Sequence, residues 1–263
     1  PPVTTRTIVG DLHPLDFNPP HQEFHFDDLG NIVTDPSQPD PGRADFLNDS
    51  AGNDLIQSGG GNDTISAFQG GDDVIDAGAG NDTVNAGAGN DAVDGGPGDD
   101  QLNADAGDDR VKGGAGRDVI RGDNFNEPNG NDLLEGGADG DFIYGFAGDD
   151  QIYGDQKISL DDALTQGASG AGSAEKGDFL QGMDGNDLVI GTDAADLVSG
   201  GEGEDVLVGG QGDDFITGDA FYDVFADDWS LTIQVNGDTT TYTVNGASFT
   251  EGVDAADRIY AGA

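Results

Sequence analysis

Residues 95–103 read Gly95-Gly96-Pro97-Gly98-Asp99-Asp100-Gln101-Leu102-Asn103, and variants of this unit fill most of the 263-residue chain. Its second aspartate recurs, and thirteen of the seventeen intervals between successive copies are nine residues. Two residues after every copy stands Ile, Leu or Val. A glycine-rich turn, a carboxylate and a three-residue strand, written about eighteen times, predict a solenoid of repeats. The recurring aspartates are Asp45, Asp54, Asp63, Asp73, Asp82, Asp91, Asp100, Asp109, Asp118, Asp132, Asp141, Asp150, Asp178, Asp187, Asp196, Asp205, Asp214 and Asp257.

The short strand of each unit predicts where its side chains point. The aliphatic residue should face the interior, and its two neighbours should face outward. If alternate units form opposite sheets, five outward residues share one face and make an apolar stripe that an inserted segment is expected to cover. Single exposed apolar residues are the alternative. The stripe consists of Val119, Phe142, Phe179, Leu197 and Phe215.

The charge of the chain demands counter-ions. With 53 acidic and 9 basic residues, the formal net charge is -44, and self-repulsion would expand the bare chain. About a dozen divalent ions would cancel about 24 of these charges. The same charge excludes nucleic acid as a partner. The basic cluster of Arg110, Lys112, Arg117 and Arg121 is predicted to be a locally neutralised face of the solenoid.

Composition also excludes cysteine-based sites and argues against a membrane-spanning segment. The chain has no cysteine, which excludes disulfides and thiolate metal sites. It has no apolar run of the roughly 20 residues that cross a bilayer, so no membrane insertion by this segment is expected.

The repeated unit resembles the glycine-rich nonapeptide G-G-x-G-x-D-x-U-x of RTX (repeats in toxin) proteins, over about four-fifths of the chain. The resemblance implies an all-β fold, a right-handed parallel β-roll in which two units make one coil. It also implies calcium ions between turns stacked on the same edge, about a dozen in all. Their ligands would be the eighteen recurring aspartates together with backbone carbonyls. Hard oxygen ligands suit calcium over softer metals.

Some units depart from this pattern at the fourth place, which is normally glycine. The calcium sites at those turns are in doubt. Asp105, at another place that is normally glycine, is either an added ligand or a solvated carboxylate. The departing residues are Arg43, Asp139, Lys176, Ala194 and Ala255.

The chain divides into four predicted parts. Residues 1–42 form an extended leader or cap, and residues 43–218 form the roll, with inserted loops at 123–129 and 155–176. Residues 219–254 form an inserted β-hairpin subdomain, and residues 255–263 form a final, truncated repeat, as expected of a fragment of a longer protein. Each insertion begins after a Gly-Asp pair, so the loops should leave a turn and spare the strands. The pairs are Gly122-Asp123, Gly154-Asp155 and Gly218-Asp219.

Two insertions carry structural signals of their own. In the second, Ser159 can cap one or two helical turns that Gly167 can end. In the third, residues 231–235 and 241–244 alternate apolar and polar around Asn236-Gly237-Asp238, which predicts a β-hairpin.

No catalytic constellation is present, so the chain itself is not predicted to be an enzyme. The glycine pairs lack the βαβ spacing of a dinucleotide site. A zinc-protease helix requires a glutamate directly after its first histidine. The segment His21-Gln22-Glu23-Phe24-His25 has Gln22 at that place, so it does not match. A capping strand is the favoured interpretation, and a transition-metal site with Asp27 is the alternative.

The leading functional hypothesis is a calcium-binding structural and secretion module of a large secreted bacterial protein, located outside the cell or on its surface. In RTX families the parent is usually exported by a type I channel. Further repeats of the parent chain and calcium ions are the expected partners, and a cell-surface or glycan partner is unknown.

Three alternatives remain open. The chain could be the tail of a secreted lipase, protease, epimerase or cytolysin, which an upstream catalytic motif would reveal. It could be an adhesin that binds through residues 219–254. It could cut itself at Asp35-Pro36 or Asp40-Pro41, although ordinary turn chemistry explains these pairs.

Overall fold

The computed structural model describes residues 6–9, 44–49, 51–124, 130–166, 177–218, 220–224, 230–236, 239–245, 247–251 and 258–260. Twenty-three strands and one helix make up the secondary structure of these residues. In chain order they are β1 (Arg6–Val9), β2 (Phe46–Asn48), β3 (Asp54–Gln57), β4 (Thr64–Ser66), β5 (Val74–Asp76), β6 (Thr83–Ala88), β7 (Ala92–Pro97), β8 (Gln101–Ala106), β9 (Arg110–Ala115), β10 (Val119–Arg121), β11 (Leu133–Ala138), β12 (Phe142–Ala147), β13 (Gln151–Tyr153), α1 (Leu160–Gln166), β14 (Phe179–Asp184), β15 (Leu188–Ile190), β16 (Leu197–Glu202), β17 (Val206–Val208), β18 (Phe215–Thr217), β19 (Ala220–Val224), β20 (Ser230–Asn236), β21 (Thr239–Asn245), β22 (Ala247–Glu251) and β23 (Arg258–Tyr260).

Alternate repeats form two parallel sheets. The odd sheet has ten strands in the order β1-β3-β5-β7-β9-β11-β13-β15-β17-β23, and the even sheet has nine, from β18 down to β2. Equivalent residues of successive coils pair in register, as in the run Ile75, Val93 and Val111 across β5, β7 and β9. The predicted all-β fold, a parallel roll with two repeats to each coil, is confirmed.

The core is a single layer of aliphatic side chains between the two sheets. The aliphatic residue of each repeat points inward, and from Leu47 to Leu207 these side chains are at most 4% exposed. Small residues at the first place of some repeats, Ala67, Ala77, Ala86 and Ala104, complete the layer. Because every unit contributes one aliphatic side chain, the interior is thin and depends on coil-to-coil register.

The predicted apolar stripe lies on the outer face of the even sheet. Phe142, Phe179 and Leu197 are buried there, with Val119, Tyr144 and Phe215 packed against them. Strand β19, from the third insertion, lies next to β14 and β16. The stripe is thus a buried apolar cluster, and its cover by an inserted segment stays a prediction.

A second apolar stripe lies on the outer face of the odd sheet, and the sequence analysis did not identify it. Leu133, Tyr153, Ile190 and Val208 are buried with Ala163 of helix α1. The second insertion thus places its helix on the odd sheet. This outer face is apolar where the helix packs against it.

The helix and the hairpin predicted within the insertions are both present. Ser159 caps α1, since its Oγ accepts a hydrogen bond from the Asp162 amide at 3.1 Å. Strands β20 and β21 pair antiparallel, with Asn236 opposite Thr239. In the described part of the chain, no helix is long and apolar enough to cross a membrane.

The predicted basic face is wrong, because its residues lie on opposite sheets. Arg110 and Lys112 belong to β9 in the odd sheet, whereas Arg121 belongs to β10 in the even sheet. Arg117 lies over the Phe142 ring at 4.9 Å, and Arg121 over the Tyr144 ring at 5.8 Å. These two arginines therefore border the apolar stripe of the even sheet.

Several predictions concern residues outside the described part of the chain. They are those on Asp257, Arg43, Lys176, Ala255, Gly167, Asp219, the histidine segment 21–25 and the bonds Asp35-Pro36 and Asp40-Pro41.

Candidate metal centres along the two edges of the roll

The recurring aspartates form two ladders, one along each edge of the roll. In each ladder the Oδ1 atom of one aspartate accepts a hydrogen bond from the backbone amide of the equivalent aspartate one coil earlier, at 2.7–3.0 Å. The even ladder consists of Asp45, Asp63, Asp82, Asp100, Asp118, Asp141, Asp178, Asp196 and Asp214. The odd ladder consists of Asp54, Asp73, Asp91, Asp109, Asp132, Asp150, Asp187 and Asp205.

The first two insertions leave both ladders unbroken. Asp118 bonds to Asp141 across the first insertion, and Asp141 bonds to Asp178 across the second, both at 2.8 Å. The loops therefore leave the turns and spare the register of the strands, as expected.

A second set of hydrogen bonds joins the same turns in the opposite direction. The residue just before each ladder aspartate is usually Asn or Asp, and its Oδ1 accepts the equivalent backbone amide of the next coil at 2.7–3.2 Å. The sequence analysis missed this role, although the recurrence of Asn and Asp at this place is visible in the sequence. The acceptors are Asn53, Asn62, Asp72, Asn81, Asn90, Asp99, Asp108, Asn131, Asp149 and Asn186.

The second carboxylate oxygen of the ladder aspartates is buried and has no hydrogen-bond donor at twelve positions. A buried ionised carboxylate without a partner is costly, so it must either take up a proton or meet a cation. The twelve are Asp63, Asp73, Asp82, Asp91, Asp100, Asp109, Asp118, Asp132, Asp141, Asp150, Asp178 and Asp187.

Backbone carbonyls converge on these free oxygens at the first glycine of the turn. A Cβ atom added to Gly95 would lie 2.6 Å from Asp100 Oδ2 and 2.6 Å from the carbonyl oxygen of Gly113 in the next coil. A Cβ on Gly113 would likewise meet Asp118 Oδ2, and would lie 2.5 Å from the carbonyl oxygen of Gly136. Glycine at the first place thus keeps a carboxylate oxygen and a carbonyl oxygen close together.

The second place of the turn is usually glycine because the backbone φ there is positive. Gly96 has φ +96°, and an added Cβ would clash with the backbone of Gly78 in the preceding coil. Among the described residues, four that are not glycine also have a positive φ, including Asp105 at +69° and Asp139 at +76°. Close stacking of turns therefore requires the glycines that the repeat supplies.

Burial raises the pKa of many of the ladder carboxyls, and neighbouring carboxylates raise it further. The pKa is about 8 at Asp109 and about 9 at Asp132 and Asp141. Hydrogen bonds from backbone amides of the preceding coil lower these pKa values, but by less than burial raises them. In the folded roll these carboxyls therefore stay ionised at neutral pH only where a cation replaces the proton.

The structure shows the surroundings of the Ala194 turn, whose calcium site was in doubt, and of Asp105, whose role as a ligand was open. At the Ala194 turn, Thr192 donates its amide to Asp196 Oδ2 at 2.6 Å, so protein donors already satisfy that carboxylate. Asp105 is partly buried and accepts a hydrogen bond from Asn124 Nδ2 at 2.9 Å.

The donor set fits calcium. Within the described residues, no group of three or more His, Cys, Asp or Glu side chains could hold a metal ion by itself. Ligands must therefore come from carboxylates and carbonyls together, which are the hard oxygen donors that calcium takes in sets of six to eight. The ladder aspartates and the first-place glycine carbonyls would hold the ion, which would supply positive charge between coils.

A family model, described as the RTX calcium-binding nonapeptide repeat, matches residues 42–67, 69–102, 94–126, 129–156, 175–207 and 190–225. These matches cover more than half of the chain. The chain belongs to this family. Its RTX repeats imply calcium binding, as the geometry of the ladders does. No curated protein matches the chain.

The raised pKa values of the RTX ladders predict an inverse pH dependence in the absence of calcium. A carboxyl with a folded pKa above its unfolded value contributes stability at low pH, and this contribution is lost as the pH rises through the folded pKa. The calcium-free roll should therefore lose stability as the pH rises from about 4, the pKa of an unfolded aspartate, to about 9, the pKa of Asp132. Circular dichroism of calcium-free protein at pH 5 and pH 8 measures this, and more β-structure is expected at pH 5. Equal β-structure at both values would contradict the prediction.

Replacing Asp91 by alanine should weaken calcium binding along the odd edge only. Asp91 Oδ1 accepts the Asp73 amide at 2.7 Å, and the Asp91 amide donates to Asp109. Loss of this ligand should lower the affinity of the adjoining sites about 10- to 100-fold, as loss of metal-site partners does. Calorimetric calcium titration measures the change.

The matched control for Asp91→Ala is Asp94→Ala, which removes an exposed carboxylate from the same strand. It should leave the titration unchanged. Equal effects of the two variants would show that only general charge is being measured.

Proposed function

We propose that this chain is a calcium-dependent structural and secretion module of a large secreted bacterial protein, and that it folds when it meets calcium after export. The observation that carries this proposal is the run of buried, donor-free carboxylate oxygens along both edges. In this proposal the module has a structural role and no catalytic role.

The difference in calcium concentration between the cytosol and the outside of the cell would control when the chain folds. Extracellular calcium modules bind with dissociation constants of about 10⁻⁴ to 10⁻³ M, so submicromolar cytosolic calcium would leave such sites empty. The ionised ladders would then repel one another, and the chain would remain open enough for a secretion channel. Millimolar calcium outside would neutralise the ladders, and ligand binding would become folding free energy.

Filling of the sites should be cooperative. Each ladder bond joins one coil to the next, and each converging pair of oxygens draws its carboxylate and its carbonyl from successive coils. An ion bound there would stabilise the neighbouring coil as well as its own, as in other repeat proteins with nearest-neighbour coupling.

Limited proteolysis of the full chain at controlled calcium concentration tests the proposal. At about 0.1 μM free calcium the chain should be digested rapidly, and at about 1 mM it should resist, because the sites are of the extracellular class. Magnesium at the same concentration should protect poorly, since it demands octahedral geometry and dehydrates reluctantly. Full resistance at submicromolar calcium would rule out folding after export.

A further inference from the structure

The Ala194 turn, which links β15 to β16, is built differently from the other turns of the even edge. Gly191 at its first place keeps the usual arrangement, since an added Cβ would meet Asp196 Oδ2 and the carbonyl oxygen of Gly209 in the next coil. The second place, however, holds Thr192, and the fourth holds Ala194. Neither of these two residues has a positive φ, so the backbone of the turn departs from the glycine pattern.

Thr192 forms hydrogen bonds with both oxygens of the Asp196 carboxylate. Its backbone amide donates to Oδ2 at 2.6 Å, and its hydroxyl Oγ1 lies 3.1 Å from Oδ1 and from Oδ2. The hydroxyl also accepts a hydrogen bond from the Ala194 amide at 3.2 Å. Thr192 is 7% exposed and Asp196 is fully buried, so water does not compete for these bonds. Asp196 Oδ2 therefore has the donors that the second oxygen of most ladder aspartates lacks.

These donors oppose the binding of a cation at this turn. An ion between Asp196 Oδ2 and the Gly209 carbonyl oxygen would compete with the Thr192 amide for Oδ2. A displaced amide would be buried without an acceptor, which is costly. The positive ends of the N–H and O–H dipoles also repel a cation. Burial raises the pKa of Asp196 and the hydrogen bonds from Thr192 lower it, so Thr192 favours the ionised carboxylate as an ion would.

Protein contacts join this turn to the coils on either side. The Asp178 amide of the preceding coil donates to Asp196 Oδ1 at 2.8 Å, and the Gln211 amide of the following coil donates to the Thr192 carbonyl oxygen at 3.1 Å. A Cβ added to Gly154, where the second insertion leaves the roll, would lie 2.6 Å from the Thr192 methyl carbon. Thr192 therefore packs against the base of the second insertion.

We propose that the Ala194 turn holds no calcium ion, and that Thr192 takes the place of the ion by binding the Asp196 carboxylate directly. The proposal rests on the calcium-binding function proposed above, because it assigns the one role that an ion has at other turns to a threonine at this turn. The junction joins the base of the second insertion to the next coil by protein groups alone. It therefore stays closed while ions exchange at neighbouring turns.

Restoring glycine at both places should create the missing calcium site. The double variant Thr192→Gly/Ala194→Gly removes the hydroxyl and permits the positive φ of the corresponding glycines in the next coil, Gly210 at +106° and Gly212 at +116°. Native mass spectrometry of the full chain in saturating calcium counts the bound ions. The double variant should hold one ion more than the native chain.

The matched control for the double variant is Thr83→Gly/Ala88→Gly. It makes the same two exchanges on strand β6, at side chains that are not buried. The ion count of this control should equal that of the native chain, because Asp196 keeps its threonine donors.

Thr192→Val distinguishes a hydroxyl that donates to Asp196 from a hydroxyl that binds calcium. Valine has nearly the same shape and keeps the backbone amide, but it has no hydroxyl. The ion count should stay the same. The Ala194 amide loses its acceptor, so its hydrogen exchange in saturating calcium should become about fivefold faster, as the loss of one hydrogen bond implies.

The outcomes separate this proposal from the proposed function. One ion gained in the double variant, with an unchanged count in Thr192→Val, supports a threonine in place of the ion. A folded double variant with the native count, or one ion lost in Thr192→Val, would overturn it while the native chain still binds calcium. If the double variant does not fold, the count in Thr192→Val decides. A native chain that binds no calcium would instead overturn the proposed function.

Discussion

Replacing Val93 by aspartate will prevent the roll from folding, even in saturating calcium. Val93 is 4% exposed and stacks between Ile75 and Val111 in the single-layer core. A buried unpaired carboxylate costs several kcal/mol or more, which is comparable to the total stability of about 5–15 kcal/mol of a typical domain. Far-ultraviolet circular dichroism should show the loss of β-structure.

The matched control for Val93→Asp is Ala92→Asp, one residue earlier on the same strand. Ala92 points outward and pairs with Arg110 of the next coil, so a carboxylate there stays hydrated and gains an opposite charge. This variant should fold like the native chain. If both variants fold equally well, the assignment of inward and outward residues is wrong.

Replacing Gly114 by valine should break the stacking of adjacent coils. Gly114 has φ +122°, and an added Cβ would collide with the backbone of Gly96. A β-branched residue adds strain in this region of φ, so we expect a loss of about 3 kcal/mol or more from strain and overpacking together. Denaturant unfolding in saturating calcium measures it.

The matched control for Gly114→Val is Ala115→Val, which adds valine at the next residue, where the side chain is exposed. Ala115 is exposed and belongs to the same strand β9, so Ala115→Val should change stability by less than about 0.5 kcal/mol, as surface substitutions usually do. A Gly114→Val variant as stable as Ala115→Val would show that the turns do not stack as closely as described.

The periodicity of the sequence predicted most of the fold, because one aliphatic residue and one carboxylate recur in each unit. Their recurrence identified the core residues and the stacked aspartates, and the resemblance to RTX proteins implied that two repeats make one coil. It could not identify the hydrogen bonds of the ladders, since a single unit does not reveal which oxygen bonds to the neighbouring coil. Nor did it separate Arg110 from Arg121, which are close in sequence but lie on opposite sheets.

The insertions were the least predictable part of the site. The helix and hairpin followed from local signals at Ser159 and at Asn236-Gly237-Asp238, but their packing partners did not. The second apolar stripe requires knowing that Tyr153, Ile190 and Val208 lie one above the next on the odd sheet. The burial of Asp123 depends on the loop closure at Gly130, a contact that no periodicity describes.

Withdrawal of calcium from the native chain tests most directly whether ions hold the coils together. Circular dichroism at neutral pH should show a disordered spectrum in chelator and a cooperative gain of β-structure at about 0.1–1 mM free calcium, the range of extracellular sites. Magnesium should not reproduce this transition. A full β-spectrum in chelator at neutral pH would contradict the account, because the buried carboxylates would then be stable without cations.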